Sequence, residues 1–108
     1  MQDLITRLIA ATNAFDVETA LTLFATDAVI DDVSVGDTFA GTAGVRRYLE
    51  QFFVGYHTST KVLSVERTGD HRALVHVDFT GDFGHETGVL NLSTDDKGLI
   101  TKVDADLD

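Results

Sequence analysis

Hydrophobic positions in the first part of the chain recur at helical spacing. Over residues 3–14, apolar side chains fall on one stripe at intervals of three and four, which predicts an amphipathic helix. Asp3 is a plausible N-cap for it. The same spacing predicts a second helix over residues 17–25, with Asp16 as its cap.

The next segment changes from strand to helix character. Residues 28–35 (AVIDDVSV) are rich in β-formers and predict a strand, and the glycine-bearing segment 35–42 predicts a turn. A third helix is expected from Ala43 to about Val54, with Thr42 as its cap and Gly55 at its end. Its apolar stripe contains Val45, Tyr48, Leu49 and Phe52.

After the third helix the hydrophobic period becomes two, which is typical of strands with one buried face. In the first of these segments, Leu63 and Val65 are expected on the same face. Turn signals rich in glycine and aspartate separate the segments, so successive strands should pair as an antiparallel meander. The predicted strands are 58–68, 72–80, 85–93 and 99–107.

Helices followed by strands predict the α+β class, in which the helices cover the apolar face of the sheet. The length of 108 residues suits one domain, residues 1–108. Absence of cysteine excludes disulfides, thiolate metal sites and cysteine nucleophiles. No segment has the pattern of a signal peptide, and with the lack of cysteine this leads us to expect a cytoplasmic location.

A formal net charge of −10 argues against two classes of partner. Nucleic-acid backbones and anionic membranes both require clustered Lys and Arg, and only 8 such residues face 18 acids. The acidic composition is explained either by a solubilising surface or by a source that grows at high salt. We therefore expect neither nucleic acid nor membrane as a partner.

Three stretches resemble one known superfamily. They are DVETALTLFATDAVIDD (residues 16–32), FAGTAGVRRYLEQFF (39–53) and DDKGLITKVDADLD (95–108). In their order and spacing they are similar to the nuclear transport factor 2-like superfamily, in particular to its SnoaL-like and ketosteroid-isomerase-like members. The resemblance covers essentially the whole chain.

This resemblance implies a conical fold, in which three N-terminal helices pack on a curved, mainly antiparallel sheet (a cystatin-like roll) and enclose a pocket. It also implies a homodimer formed through the outer face of the sheet. Members of the superfamily include isomerases, cyclases, hydrolases, dehydratases and binding modules, so the fold alone does not name a reaction.

Asp32 is the leading candidate for chemistry, since it lines up with the general base of ketosteroid isomerases. Desolvation in an apolar pocket raises the pKa of a carboxyl group, which can then take a proton next to a carbonyl or activate water. The alternative is that Asp31 and Asp32 form a solvated strand end or a cap. Asp31 should point to the opposite face of the strand.

Ketosteroid isomerases also stabilise an enolate with two hydrogen-bond donors, a tyrosine and a protonated aspartate. The resemblance places these two positions at Leu8 and near Leu90, and neither leucine can donate. Asn91 could donate if it faces inward. Loss of both donors would remove the largest stabilising contribution to the reaction.

Two weaker candidates could supply a second titratable group. Glu86 would lie at the mouth of the pocket if its strand face is the pocket face, and His57 follows the third helix where the chain enters the sheet. The favoured explanation is an ordinary exposed position at a strand start for Glu86 and a surface or hydrogen-bonded histidine for His57. The histidines lack metal-ligand spacing, so we expect no metal and no cofactor.

The apolar wall of the pocket is expected to come from residues on the helix stripes and inner strand faces. Ordinary core packing is the alternative for each of them. They are Leu8, Phe24, Phe52, Phe53, Tyr56, Val75, Val77, Phe83, Leu90 and Ala105.

Three hypotheses follow from the sequence. The chain is a cofactor-independent isomerase, cyclase or hydratase that uses Asp32 on an apolar, carbonyl-bearing molecule. Alternatively it binds such a molecule without catalysis, or it is a dimerisation module whose pocket is filled by its own side chains. The absent donors favour binding over catalysis.

Overall fold

Helices and strands alternate only at the start of the chain, and the second half is all strand. The structure, a computed structural model, describes residues 1–108. The elements are α1 (Gln2–Asn13), α2 (Val17–Leu21), β1 (Phe24–Asp32), β2 (Asp37–Ala40), α3 (Gly41–Leu49) with a π-helical continuation (Glu50–Val54), β3 (Ser59–Gly69), β4 (Arg72–Gly81), β5 (Gly84–Thr94) and β6 (Ile100–Leu107).

All six strands form one sheet in the order β2-β1-β6-β5-β4-β3. Neighbours pair antiparallel except β1 and β6, which are parallel. The three helices pack on this sheet, and the predicted α+β class with a mainly antiparallel sheet is confirmed. The predicted meander corresponds to β3 through β6, which are joined by short turns.

Period-two alternation separates the two faces of the sheet. On β4, Ala73, Val75 and Val77 are fully buried, while the intervening residues are half-buried on the opposite face. The same inner face continues across the paired strands. Leu92 of β5 lies opposite Ala73, and Val103 of β6 lies opposite Leu92. Helices cover the inner face, so the core lies between the helices and the sheet.

Helix caps follow the prediction at only one of three positions. Asp16 caps α2 as predicted, because its carboxylate accepts hydrogen bonds from the Thr19 backbone N–H (3.1 Å) and hydroxyl (2.6 Å). Asp3 lies inside the first turn of α1 and does not cap it. Thr42 is also not a cap, because Gly41 takes a φ of +71° and the helix begins directly after β2.

The first strand begins earlier than predicted and is followed by a strand that the sequence did not predict. Phe24 already pairs with Ile100, so α2 ends at Leu21 and β1 starts three residues later. Gly36, with a φ of +69°, lies in the tight turn that brings β2 back along β1. The segment predicted as a turn therefore contains a four-residue edge strand.

The predicted face of Leu63 is wrong. A shift of register between Val62 and Ser64 interrupts the alternation of β3, which is the effect of a β-bulge. Val62 and Val65 pack against the core, whereas Leu63 is 52% exposed. A bulge changes which residues face inward without changing composition, and the period-two pattern cannot reveal it.

Candidate functional site

An open cavity of about 390 Å³ lies at one end of the inner sheet face. The π-helical continuation of α3 and the following residues form one wall, and the ends of β1, β4, β5 and β6 form the other. The lining residues are Asp32, Ser34, Val35, Tyr48, Phe52, Phe53, Tyr56, Thr58, Phe79, Asp82, Phe83, Glu86 and Leu107.

Asp32 is the buried carboxylate of this cavity. It is the last residue of β1, on the inner face opposite Ala105, and only 6% of it is exposed. Its Oδ1 accepts hydrogen bonds from the backbone N–H (2.9 Å) and the hydroxyl (2.5 Å) of Ser34. Its Oδ2 accepts one from the Tyr48 hydroxyl at 2.5 Å. Asp31 faces the other way, near the Thr38 hydroxyl.

These partners use the two carboxylate oxygens unequally. An ionised carboxylate has about four lone-pair positions, two on each oxygen. The two bonds from Ser34 occupy both positions of Asp32 Oδ1, whereas Tyr48 occupies only one of the two on Oδ2. The Oδ2 atom is therefore the one that can take a further hydrogen bond or a proton from a ligand.

Tyr48 comes from α3 and is held in place by aromatic neighbours. Its ring lies 5.0 Å from that of Phe39 and 5.1 Å from that of Phe52, measured between centroids. Burial, followed by the hydrogen bond to Asp32 and the charge of that carboxylate, raises the pKa of Tyr48 well above its usual value. The hydroxyl thus keeps its proton and remains a donor at neutral pH.

Aromatic side chains form most of the wall. Phe52 contacts Tyr56 with a centroid distance of 6.0 Å, and Tyr56 meets Phe83 edge-on at 6.1 Å. Phe53 contacts Phe79 of β4 at 6.2 Å. Phe52 and Phe53 both belong to the π-helical continuation, a widened turn that is frequent at functional sites. The sequence motif FF thereby contributes two neighbouring rings to one cavity.

Two carboxylates accompany the aromatic residues near the opening. Asp82 lies 2.9 Å from His57 Nδ1, with both side chains largely exposed. His57 has a φ of +54° and its ring packs edge-on against Phe15, the other non-glycine residue with positive φ. Glu86 lies on the inner face of β5 opposite Phe79. His57 borders the cavity through Asp82, while Glu86 lines it directly.

A second, much smaller space lies deeper under the helices. Its volume is about 30 Å³, and 11 of its 13 lining residues are hydrophobic, Leu8, Phe24 and Leu90 among them. The two positions at which the resemblance expects donors therefore lie beside apolar neighbours. Asn91 is on the outer face of the sheet, opposite Leu74, and cannot donate into the cavity.

The sequence-predicted wall residues thus fall into three groups. Phe52, Phe53, Tyr56 and Phe83 line the cavity, and Leu8, Phe24 and Leu90 line the small space, to which Phe53 also contributes. The remaining three are buried in the core and border neither space. These three are Val75, Val77 and Ala105.

The sequence did not single out Tyr48, Ser34 or Asp82 for the site. For Tyr48 a signal was present, because it lies on the apolar stripe of the third helix. A buried tyrosine hydroxyl generally needs a hydrogen-bond partner, and Asp32 was the one acid already expected on the inner face. Ser34 and Asp82 lie in turns, where the pattern gives no direction for a side chain.

Comparison with protein families gives a match to the SnoaL-like domain model over residues 5–99. No curated protein matches the sequence. None of the helices has the length and apolar character that crossing a membrane requires.

Solved structures share the fold at low sequence identity. A candidate polyketide cyclase from Sinorhizobium meliloti is 22% identical with a TM-score of 0.86, covering 95% of this chain and 93% of that one. Rv0760c from Mycobacterium tuberculosis, solved with estradiol-17β-hemisuccinate, is 17% identical with a TM-score of 0.83, covering 96% and 90%. A computationally designed binder of 17-OHP is 19% identical with a TM-score of 0.84, covering 94% and 88%.

Proposed function

The chain belongs to the SnoaL-like domain family, as its motifs predict, and we propose that it binds a small apolar ligand in the cavity beside Asp32. One observation carries this proposal. The buried Asp32 carboxylate, held by the Tyr48 hydroxyl, lines a cavity whose other walls are mainly aromatic. An apolar pocket with a few convergent polar groups is the usual form of a small-molecule site.

The volume of the cavity and the ligands named for two proteins of the same fold support a ligand as large as a steroid. The volume of about 390 Å³ falls within the range of roughly 300–1,000 Å³ that is common for ligand pockets. Two proteins of the same fold are named with steroid ligands, the mycobacterial protein and the designed binder. For this chain we propose a rigid, mainly hydrocarbon body that fills the aromatic part of the cavity.

The free lone pair on Asp32 Oδ2 defines the polar end of that ligand. Because Tyr48 donates to the same oxygen, the pair presents an acceptor on Asp32 and, through the phenolic oxygen, a second acceptor. A ligand hydroxyl would satisfy either position. We propose that the ligand carries a donor at the end that reaches Asp32.

Catalysis by Asp32 is the second candidate function, favoured by the same free lone pair. In such a reaction, the proton on the carbon next to a ligand carbonyl moves to Oδ2, and the electron pair of the broken C–H bond forms an enolate. Return of the proton to a different carbon completes an isomerisation without any cofactor. Tyr48 is the phenol in contact with Asp32, and it would have to leave Asp32 to stabilise the enolate.

Fluorescence titration with estradiol tests the binding proposal. We expect saturable binding, weakened at least tenfold by Phe52→Ala, which removes a wall of the cavity. Lys61→Ala, an exposed site on the outer face of β3, is the matched control and should not change the affinity. Binding that is equally strong in the Phe52 variant would contradict the proposed location.

A panel of steroid enones and simple polyketide-like ketones tests the catalytic candidate. Wild type and Asp32→Asn are compared for double-bond migration and for exchange of the α-proton with deuterated water. A general base predicts turnover that falls by at least a hundredfold in the variant. Equal rates in the two proteins would remove Asp32 from any mechanism and leave binding alone.

We also propose a homodimer through the outer sheet face. Leu74, His76 and Val89 on this face are only half-buried, although they lie in the interior strands β4 and β5. Sedimentation velocity should show a dimer at micromolar concentration that dissociates in Val89→Glu. A wild-type monomer at 100 µM would contradict this proposal. The cytoplasmic location stays a prediction.

A further inference from the structure

All charged side chains that line the cavity have the same sign. Asp32, Asp82 and Glu86 are acids, and the lining contains no lysine, arginine or histidine. Asp32 is deep in the cavity and its carboxylate accepts three hydrogen bonds. The other two acids lie near the opening, where an incoming ligand meets them first, and they have fewer partners in the fold than Asp32 has.

Glu86 and Asp82 differ in how they are held. Glu86 makes neither an ion pair nor a hydrogen bond in the structure, although it lies beside Phe79 on the inner face. Asp82 has one partner, His57, whose ring nitrogen is 2.9 Å from Oδ2. Its Oδ1 therefore remains available. The opening thus offers two carboxylates with free acceptor positions.

The aromatic rings near these carboxylates favour the same kind of ligand group. Tyr56 and Phe83 contact each other edge-on, and both are about two-fifths exposed where the cavity opens. The faces of such rings carry partial negative charge and attract ammonium groups. Carboxylates and aromatic faces together form the usual surroundings of a bound organic cation.

We infer that the ligand is amphiphilic and cationic: an apolar body in the cavity, with a protonated amine at the opening between Asp82 and Glu86. This rests on the proposed ligand binding and defines its substrate class. The same charges disfavour carboxylate ligands, and the net charge of −10 acts in the same direction. One charge at about 7 Å across a partly hydrated opening changes affinity by roughly five- to tenfold.

Three ligands that share one skeleton test this inference. They are estradiol, its 17β-amino analogue and estradiol-17β-hemisuccinate, titrated calorimetrically at pH 8 and low salt, where an aliphatic amine is protonated. We expect the amine to bind about tenfold more tightly than estradiol and the hemisuccinate about tenfold more weakly. Added salt should reduce both differences.

The double variant Asp82→Asn with Glu86→Gln assigns the effect to the opening. We expect the affinity ratio of amine to hemisuccinate to fall from about a hundredfold to less than about tenfold. The matched control is Asp27→Asn with Asp70→Asn, which removes two exposed charges outside the cavity. The control should keep the wild-type ratio, although its net charge changes equally.

Each outcome decides a different point. Equal affinities for the three ligands would overturn the inference and leave the proposed binding intact. Binding by none of them would overturn the proposed function, and the inference with it. A ratio that falls as much in the control as in the double variant would show that overall charge, and not Asp82 and Glu86, selects the ligand.

Discussion

The two ends of the inner sheet face differ in how completely they are filled. At the end under α1, side chains such as Leu8 and Leu90 leave a space of only about 30 Å³. At the end near Asp32, the same face borders a cavity of about 390 Å³. One sheet thus supports a close-packed core and an open pocket side by side.

The difference arises from what covers the sheet at each end. Leucine and isoleucine of α1 fill the first end, and these compact aliphatic side chains interdigitate well. The second end is covered by the π-helical continuation of α3 and the residues that follow it. There the large rings of Phe52, Tyr56 and Phe83 contact one another along the wall of the cavity and leave its centre open. Stability should therefore depend mainly on the filled end, and ligand recognition on the open end.

The largest expected effect is on stability, and it comes from a leucine-to-alanine substitution that should cost much more at the filled end than at the open end. Leu92→Ala, at a position 1% exposed in the filled end, should lower the free energy of unfolding by about 3 kcal/mol, because it leaves a cavity in a packed core. Leu107→Ala, at 37% exposed beside the open cavity, should cost less than about 1 kcal/mol. Urea denaturation measures both, and equal losses would contradict the contrast.

Tyr48 borders both spaces, so Tyr48→Phe should lower the free energy of unfolding by an amount between those of the two leucine variants. Loss of its hydrogen bond leaves the buried Asp32 Oδ2 without a protein partner, at a cost of about 1–3 kcal/mol at pH 7. In the spectrophotometric titration of tyrosine, the wild type should show one phenol that ionises late, and the variant should lack that step.

The raised pKa of Tyr48 also fixes a pH dependence. Because this pKa is higher in the folded chain than in the unfolded one, folding favours the protonated phenol. The resulting stabilisation is fully present below the ordinary tyrosine pKa and is lost as the pH rises through the raised value. The difference in stability between wild type and Tyr48→Phe should therefore shrink in strongly alkaline solution, and a constant difference would contradict the assignment.

The smallest effect on stability is expected at the opening. Phe83 is 43% exposed, so Phe83→Ala should change the free energy of unfolding by less than about 1 kcal/mol. Because its ring forms part of the wall, we expect estradiol affinity to fall by about five- to tenfold. A variant that loses stability but keeps its affinity would reverse the proposed roles of the two ends.

Helices and strands could be predicted from the sequence because the spacing of hydrophobic residues follows the local backbone geometry. The three helices and the four strands of the meander were predicted within a few residues. The short strand β2 was missed because its four residues carry no strong alternation, and it exists only through its pairing with β1. The inward face of β3 was wrong at Leu63 because a bulge depends on the partner strand.

The site was predictable where one residue sits on a regular strand. The sequence and the resemblance predicted that Asp32 faces inward, and it lies buried beside the cavity, while its functional role stays a prediction. Its partners Tyr48 and Ser34 require knowledge of how α3 crosses the end of β1 and how the following turn folds back, neither of which a single sequence provides. Whether the Asp82 side chain reaches the cavity depends on the direction of the turn between β4 and β5.

The parallel pairing of β1 with β6 has a consequence for the assembly of the molecule. Ile30 lies beside Val103 and Asp32 beside Ala105, so residues 73 positions apart must meet before the middle of the sheet exists. Long loops must close to bring such partners together, and this slows folding relative to hairpins. The β3–β4–β5 meander can form from local contacts, whereas the position of Asp32 is determined only when the C-terminal strand is inserted between β1 and β5. Ligand-binding competence should thus be among the last properties that the folding chain acquires.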